Sequence, residues 1–214
     1  MKHTLESKFV HKGIDRGTRT IHGVSVATIG EARGHGLHVD ATTLDQLKEC
    51  AMKYGGGVKV KADHGSGVLS TVGFLKNFQL DGNQLRADFE IFASEKDGEK
   101  LFDMAEKIPD TFGLSVNFAG EDQKVGSLTF ARCSELFSAD IVTEPAANKH
   151  GLFSAKDEDP SVKKMASLGE AVVGATRGFG LAASRFALKQ FGGPGSGPRK
   201  GGGSSKDAHE MLKS

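Results

Sequence analysis

Alternating apolar and polar residues predict a series of short strands in the first two thirds of the chain. The stretch 22–30, "HGVSVATIG", alternates and is rich in β-branched residues, which is typical of a strand. The stretch 58–64, "VKVKADH", predicts a strand that ends at His64. In residues 70–92, two alternating runs flank "DGN", which predicts a β-hairpin. Further strands are predicted in "FGLSVNFAG" and "LTFARCSELFSADIV".

Two segments have helical spacing instead. The first has Asp40 or Thr42 as its N-cap and stops near Gly55, and its apolar positions are Leu44, Leu47 and Ala51. The second, "SEKDGEKLFDMAEKIPD", has Ser94 as its predicted cap, and its buried face is predicted to be Leu101, Phe102, Ala105 and Ile108. Six or seven strands, joined mainly by hairpins and accompanied by two helices, predict an α+β domain built on a sheet or small barrel.

The composition of the chain changes near residue 155. Residues 192–203 contain seven glycines and two prolines, which a packed core cannot use. We therefore predict an N-terminal segment (1–19), a folded domain (20–154), an amphipathic extension (155–191) and a Gly/Ser-rich tail (192–214). In the extension, apolar residues at heptad-like spacing predict a helix that several glycines oppose: Met165, Leu168, Val172, Ala175, Phe179, Ala182 and Phe186.

The charge balance offers no attraction for a polyanion. The chain has 28 basic and 27 acidic residues, so neither nucleic acid nor a membrane surface is an expected partner. Cys50 and Cys133 lie far apart and outside any CxxC pattern, which predicts two free thiols in a reducing compartment. The N-terminal stretch lacks an apolar core, and no apolar run approaches the roughly 18 residues of a membrane span, so we expect a soluble cytosolic protein.

Three residues from separate segments have the chemistry of a hydrolytic serine site. Such a serine needs a base within hydrogen-bond reach and a third group that orients the base. His64 is followed by a flexible "GSG", and Ser115 follows "GL" at the start of a strand. Asp140 lies in the apolar stretch "FSADIV", where a carboxylate is costly without a partner. The ordinary alternatives are a surface histidine, a structural serine and a turn-capping aspartate, and these residues alone leave them open.

A metal site competes for part of the same set. The stretch "GHGLHVD" contains His35, His38 and Asp40, and His64 would complete a ligand set. The flanking glycines favour a polar surface loop that lines a substrate channel. The stretch "GGPGSGPRKGGG" contains GxG, but it neither follows a strand nor opens a clear helix, so it does not predict a phosphate site. No cofactor and no resident metal are expected.

The order of three motifs resembles that of the prohead (capsid maturation) proteases of tailed bacteriophages. The motifs are "VKVKADHGSG", "FGLSVNF" and "LFSADIVTEPAANKHGLF", and the resemblance spans residues 20–154. These proteases share their fold with the herpesvirus assemblins. The resemblance implies a serine endopeptidase on a small, mainly antiparallel β-barrel flanked by helices. Inside the prohead, in the host cytoplasm, it would digest the scaffold, trim the coat protein and cleave itself.

The resemblance also implies roles for particular residues. The nucleophile falls on Ser115 and the general base on His64, whereas the acid that many members carry falls on Ser138 here. Asp140 lies two residues further on the same strand face and is the expected third member, with Glu135 as the fallback. Backbone N–H groups would hold the oxyanion, with Arg132 as a further candidate.

The implied partners are the scaffold protein and the major capsid protein, both as substrates, together with self-association of the chain. Two other functions are kept as alternatives. One is a non-catalytic assembly or scaffolding protein that retains a protease-like domain. The other is a metallohydrolase that uses His35, His38 and His64.

Overall fold

A computed structural model describes residues 12–154, in which strands and two α-helices alternate along the chain. The strands are β1 (Gly13–Asp15), β2 (Thr20–Thr28), β3 (Gly30–Ala32), β4 (Leu37–Val39), β5 (Val58–Ala62), β6 (Thr71–Asp81), β7 (Gln84–Ile91), β8 (Gly113–Ala119), β9 (Gln123–Val125), β10 (Leu128–Phe130) and β11 (Glu135–Val142). The helices are α1 (Ala41–Met52) and α2 (Gly98–Lys107). The predicted α+β class is therefore confirmed.

The strands form one large sheet and one small one. The large sheet has seven strands in the order β1-β2-β7-β6-β5-β11-β8, and all its pairs are antiparallel except the parallel pair of β5 and β11. The small sheet has the order β3-β4-β10-β9. Because the large sheet ends at β1 and β8, hydrogen bonding among the described residues does not close it into a barrel.

Local sequence signals explain the first helix and the central hairpin. Strands β6 and β7 meet at the predicted "DGN" turn, where Gly82 has φ +58°, a value that favours glycine. Asp40 caps α1 by accepting a hydrogen bond from the backbone N of Thr43 at 2.8 Å. The predicted apolar positions Leu44, Leu47 and Ala51 are all buried, and α1 packs against β6 and β11.

The second helix differs from its prediction at both ends. It begins after Asp97 rather than after Ser94, because residues 96 and 97 form a turn before the first helical residue. Phe102 and Ala105 are buried as predicted, but Ile108 is 47% exposed. The helix ends at Lys107, because Pro109 disfavours helical geometry in the residue before it, and the side chain of Ile108 is left in solvent.

The two cysteines are free, as predicted, and both are buried. Cys50 lies in α1, and its Sγ is 3.9 Å from the carbonyl oxygen of Cys133. Burial raises the pKa of the Cys133 thiol, and the adjacent Cys50 raises it further. A thiol that stays protonated is a poor nucleophile, so Cys133 is not a candidate for covalent catalysis.

Some predictions concern residues that lie outside 12–154. The proposed amphipathic extension, the Gly/Ser-rich tail and most of the N-terminal segment belong to this group. Within the described range, Gly13 pairs with His22, so the sheet begins before residue 20. No helix among residues 12–154 is long and apolar enough to cross a membrane.

The segment after β11 crosses the gap between β8 and β2. Asn148 is fully buried there, and its Nδ2 donates to the carbonyl oxygens of Leu114 (2.8 Å), Val26 (3.0 Å) and Ser25 (3.2 Å). Its Oδ1 accepts from Ser25 Oγ at 2.7 Å and from Thr28 Oγ1 at 3.1 Å. One amide therefore ties the edge strand β8 to β2.

We expect Asn148→Ala to lower the free energy of unfolding by about 3 kcal/mol, because it removes several buried hydrogen bonds and leaves polar partners unsatisfied. Urea denaturation of the two proteins measures the difference. Gln79→Ala, which removes an exposed amide from β6, is the matched control and should change stability by less than about 0.5 kcal/mol. Equal stabilities of the two variants would contradict the role assigned to Asn148.

Candidate active site

Three neighbouring strands bring polar residues to one face of the large sheet. In the parallel pair, Lys61 of β5 lies opposite Asp140 of β11. In the antiparallel pair, Asp140 lies opposite Ser115 of β8. Directly opposed residues on antiparallel strands point to the same face with their Cβ atoms about 5 Å apart. Lys61, Asp140 and Ser115 therefore form a row across β5, β11 and β8.

His64 reaches this row from a turn that follows β5. The predicted strand ends at Ala62 rather than at His64, because Asp63 (φ +50°) and His64 (φ +55°) both adopt left-handed backbone conformations and leave the ladder. The backbone N of Asp63 donates to the carbonyl of Ile141 in β11 at 3.0 Å, and this bond ties the turn to the sheet. Consecutive left-handed residues other than glycine are unfavourable, and such strain clusters at functional sites.

The ring of His64 contacts the buried carboxylate of Asp140. The distance from His64 Nδ1 to Asp140 Oδ2 is 2.7 Å, with 48% of the His64 side chain and 2% of the Asp140 side chain exposed. The other oxygen, Asp140 Oδ1, accepts from Ser138 Oγ at 3.0 Å and lies 3.9 Å from Lys61 Nζ. The carboxylate in the apolar stretch "FSADIV" thus has the partners that its burial requires.

Ser115 is half-buried on the edge strand β8, one residue after the carbonyl of Leu114 that Asn148 holds. A small cavity of about 30 Å³ lies beside it, and most of the lining is apolar, including Val39, Phe118 and Ala146. His35 also lines this cavity.

The fallback acid Glu135 and the oxyanion candidate Arg132 lie elsewhere. Glu135 is exposed at the start of β11, opposite Ala119, whereas His64 contacts Asp140. Arg132 forms a bidentate pair with Asp40, with both N–O distances 2.8 Å, and its Nε donates to Gln123 at 2.9 Å. Its guanidinium is therefore committed to the N-terminus of α1.

The residues of the alternative metal site are dispersed. His38 lies against the ring of Phe130, with ring centroids 6.1 Å apart, and Asp40 caps α1. His64 is paired with Asp140. In the part of the chain that the structure describes, no group of three or more His, Cys, Asp or Glu side chains could hold a metal ion.

Sequence reasoning missed three residues that support the row: Lys61, Ser138 and Asn148. Lys59 and Lys61 both alternate with valines in "VKVKA", and nothing in that pattern distinguishes the exposed Lys59 from the half-buried Lys61. Ser138 was noted only as the position where an acid was expected. Asn148 directly follows the apolar "PAA", and an amide in such a stretch is a signal for a buried side chain with hydrogen-bond partners.

Comparisons of this chain with models of protein families, with curated proteins and with solved structures found no match. The resemblance to prohead proteases therefore stays a prediction from the three sequence motifs.

The left-handed turn gives a stability prediction. Asp63→Val should lower the free energy of unfolding by about 1 kcal/mol, because a β-branched residue at positive φ is strained more than aspartate. Asp63→Gly should be at least as stable as the parent, since glycine adopts this conformation freely. Thermal unfolding measures both, and Lys59→Val at an exposed strand position is the control. A neutral Asp63→Val would indicate a different backbone conformation.

Proposed function

We propose that this chain is a serine endopeptidase of phage capsid maturation, with Ser115 as nucleophile, His64 as general base and Asp140 as the orienting acid. The observation that carries the proposal is the 2.7 Å contact between His64 Nδ1 and Asp140 Oδ2, on the carboxylate that lies opposite Ser115 in the sheet. A base oriented by a buried acid beside a serine is the arrangement that activates a hydroxyl group.

The first half of the reaction forms an acyl-enzyme. The hydrogen bond to Asp140 retains a proton on Nδ1 of His64, and Nε2 is then the nitrogen that accepts the proton of Ser115 Oγ. Oγ attacks the scissile carbonyl carbon, and the carbonyl oxygen becomes an oxyanion. When this intermediate collapses, the C–N bond breaks and His64 gives its proton to the departing amine.

The second half releases the acyl group. A water molecule gives a proton to His64 Nε2 and attacks the ester carbon, and the proton returns to Ser115 as the ester bond breaks. Asp140 stabilises the imidazolium that forms in both halves. Backbone N–H groups near Ser115 are the proposed oxyanion donors, since the guanidinium of Arg132 is bound to Asp40.

The surroundings of the serine fit a peptide substrate. The cavity beside Ser115 is small and mostly apolar, so it suits a small uncharged side chain next to the scissile bond. The resemblance implies a small barrel, whereas the large sheet is open. Asn148 links β8 to β2 across the opening, so within residues 12–154 the two strands are held together without a strand pairing.

A fluorophosphonate probe tests the catalytic assignment. We expect labelling at one serine, complete loss in Ser115→Ala, and labelling at least about 10³-fold slower in His64→Gln, because the hydroxyl group then lacks its base. Asp140→Asn should slow labelling about 10²-fold or more, since the amide no longer orients the required tautomer. Mass spectrometry of the labelled peptide identifies the serine.

Ser66→Ala is the matched control, because it removes an exposed serine from the loop that follows His64. Labelling that persists in Ser115→Ala, or that is independent of His64, would contradict the proposal. A protein that is not labelled but still binds scaffold or coat protein would support the non-catalytic assembly role. Hydrolysis that chelators abolish and that survives Ser115→Ala would support the metallohydrolase.

The capsid role adds substrates that belong to the same proposal. Scaffold protein and extensions of the major capsid protein would be cleaved inside the assembling prohead in the host cytoplasm, with self-association of the chain. The stretch 155–200 is rich in glycine and charged residues, and it is the proposed self-cleavage site because proteases cut preferentially in segments of small and polar residues.

Intact-mass measurement of the purified full chain tests self-cleavage. We expect the parent to lose C-terminal residues on incubation at a cut between 155 and 200, and we expect Ser115→Ala to stay at full length. The same truncation in both proteins would indicate a contaminating protease and contradict autoproteolysis.

A further inference from the structure

Lys61 contacts Asp140 and the turn that carries His64. Its Nζ donates to the carbonyl oxygen of Gly65 at 2.9 Å, and the same atom lies 3.9 Å from Asp140 Oδ1. Only 16% of the Lys61 side chain is exposed. One ammonium group thus links the turn that carries His64 to the strand that carries Asp140.

We propose that Lys61 is a positioning residue that holds the imidazole of His64 in register with Asp140. This inference rests on the proposed function for its catalytic meaning. The bond to Gly65 restrains the residue directly after His64, in a turn whose two left-handed residues have no ladder partner on the β6 side. A charge-assisted hydrogen bond is strong enough to counter the strain of such a turn.

The charge of Lys61 supports the same role. A histidine that acts as a base must be neutral before the reaction, and the buried carboxylate of Asp140 then faces an uncharged ring. A buried carboxylate without a cation is costly. Lys61 lies on the opposite side of the carboxylate from His64, near Oδ1 rather than Oδ2, so it balances the charge without taking the place of the ring.

The charged groups around His64 come from three elements. Asp140 belongs to β11, Lys61 to β5, and Asp63 is exposed in the turn itself. Ser138 adds a neutral hydroxyl group on Asp140 Oδ1. Of these, Lys61 contacts both the turn and the acid, which distinguishes a positioning role from a purely local ion pair.

The tautomer of His64 tests this role without any need for activity. In the full chain labelled with ¹⁵N-histidine, at a pH where the imidazole is neutral, the ring nitrogen spectrum shows which nitrogen carries the proton. In the parent, we expect the proton to stay on Nδ1, which donates a hydrogen bond to Asp140. In Lys61→Met, we expect a large part of the population to shift to the Nε2–H form. Lys61→Arg should retain most of the Nδ1–H form, because it keeps the charge and a donor.

Lys59→Met is the matched control, since it removes an exposed lysine from the same strand. It should leave both the spectrum and the thermal unfolding midpoint unchanged. Lys61→Met with a parent-like tautomer would overturn the proposal, and so would a spectral change in Lys59→Met of the same size. Circular dichroism and the dispersion of amide signals verify that each variant is folded.

Probe labelling gives the second measurement. Lys61→Met should lower the rate of labelling at Ser115 about tenfold or more, because one hydrogen bond from a charged group is lost. Lys61→Arg should be closer to the parent, since it keeps the charge and a donor. An unchanged rate would overturn the catalytic part of the inference. Absence of labelling in the parent would instead refute the proposed function, while the tautomer measurement would still decide whether Lys61 positions His64.

Discussion

The structure depends on how the edge strand β8 of an open sheet is linked to β2. Edge strand β8 pairs with β11 on one side, and on the other side the buried amide of Asn148 links it to β2. A buried amide that has five partners tolerates little displacement, because every lost bond leaves a polar group unsatisfied. Since Leu114 is one of those partners, the same amide fixes the backbone next to Ser115.

The candidate site is centred on β11, which pairs with β5 on one side and with β8 on the other. The strand supplies Asp140, and its two neighbours supply the row residues Lys61 and Ser115, while the turn after β5 supplies His64. The carboxylate is satisfied at both oxygens by groups from different elements. A site that spans three paired strands has a rigid base, and its one strained part is the turn that carries the histidine.

Sequence patterns predicted the parts of this fold that depend on near neighbours. The N-cap of α1, its buried leucines and the "DGN" hairpin follow from residues a few positions apart. The open ends of the sheet, and the registers that align Asp140 with Ser115 and Lys61, depend on strands distant in sequence, and no local pattern encodes them. The contact between His64 and Asp140 agreed with the motifs, but the left-handed turn behind it did not follow from "ADHG", because aspartate and histidine usually avoid positive φ.

The position of β11 also affects the order in which the strands can pair during synthesis. Among residues 12–154 this strand is the last one in sequence, yet it lies between two earlier strands. Until it emerges, β5 and β8 have no common neighbour, and His64 lacks its partner Asp140. A nascent chain that lacks residues 135–148 therefore has Lys61, His64 and Ser115 but not the strand that aligns them. The candidate site would come together in one late step of synthesis.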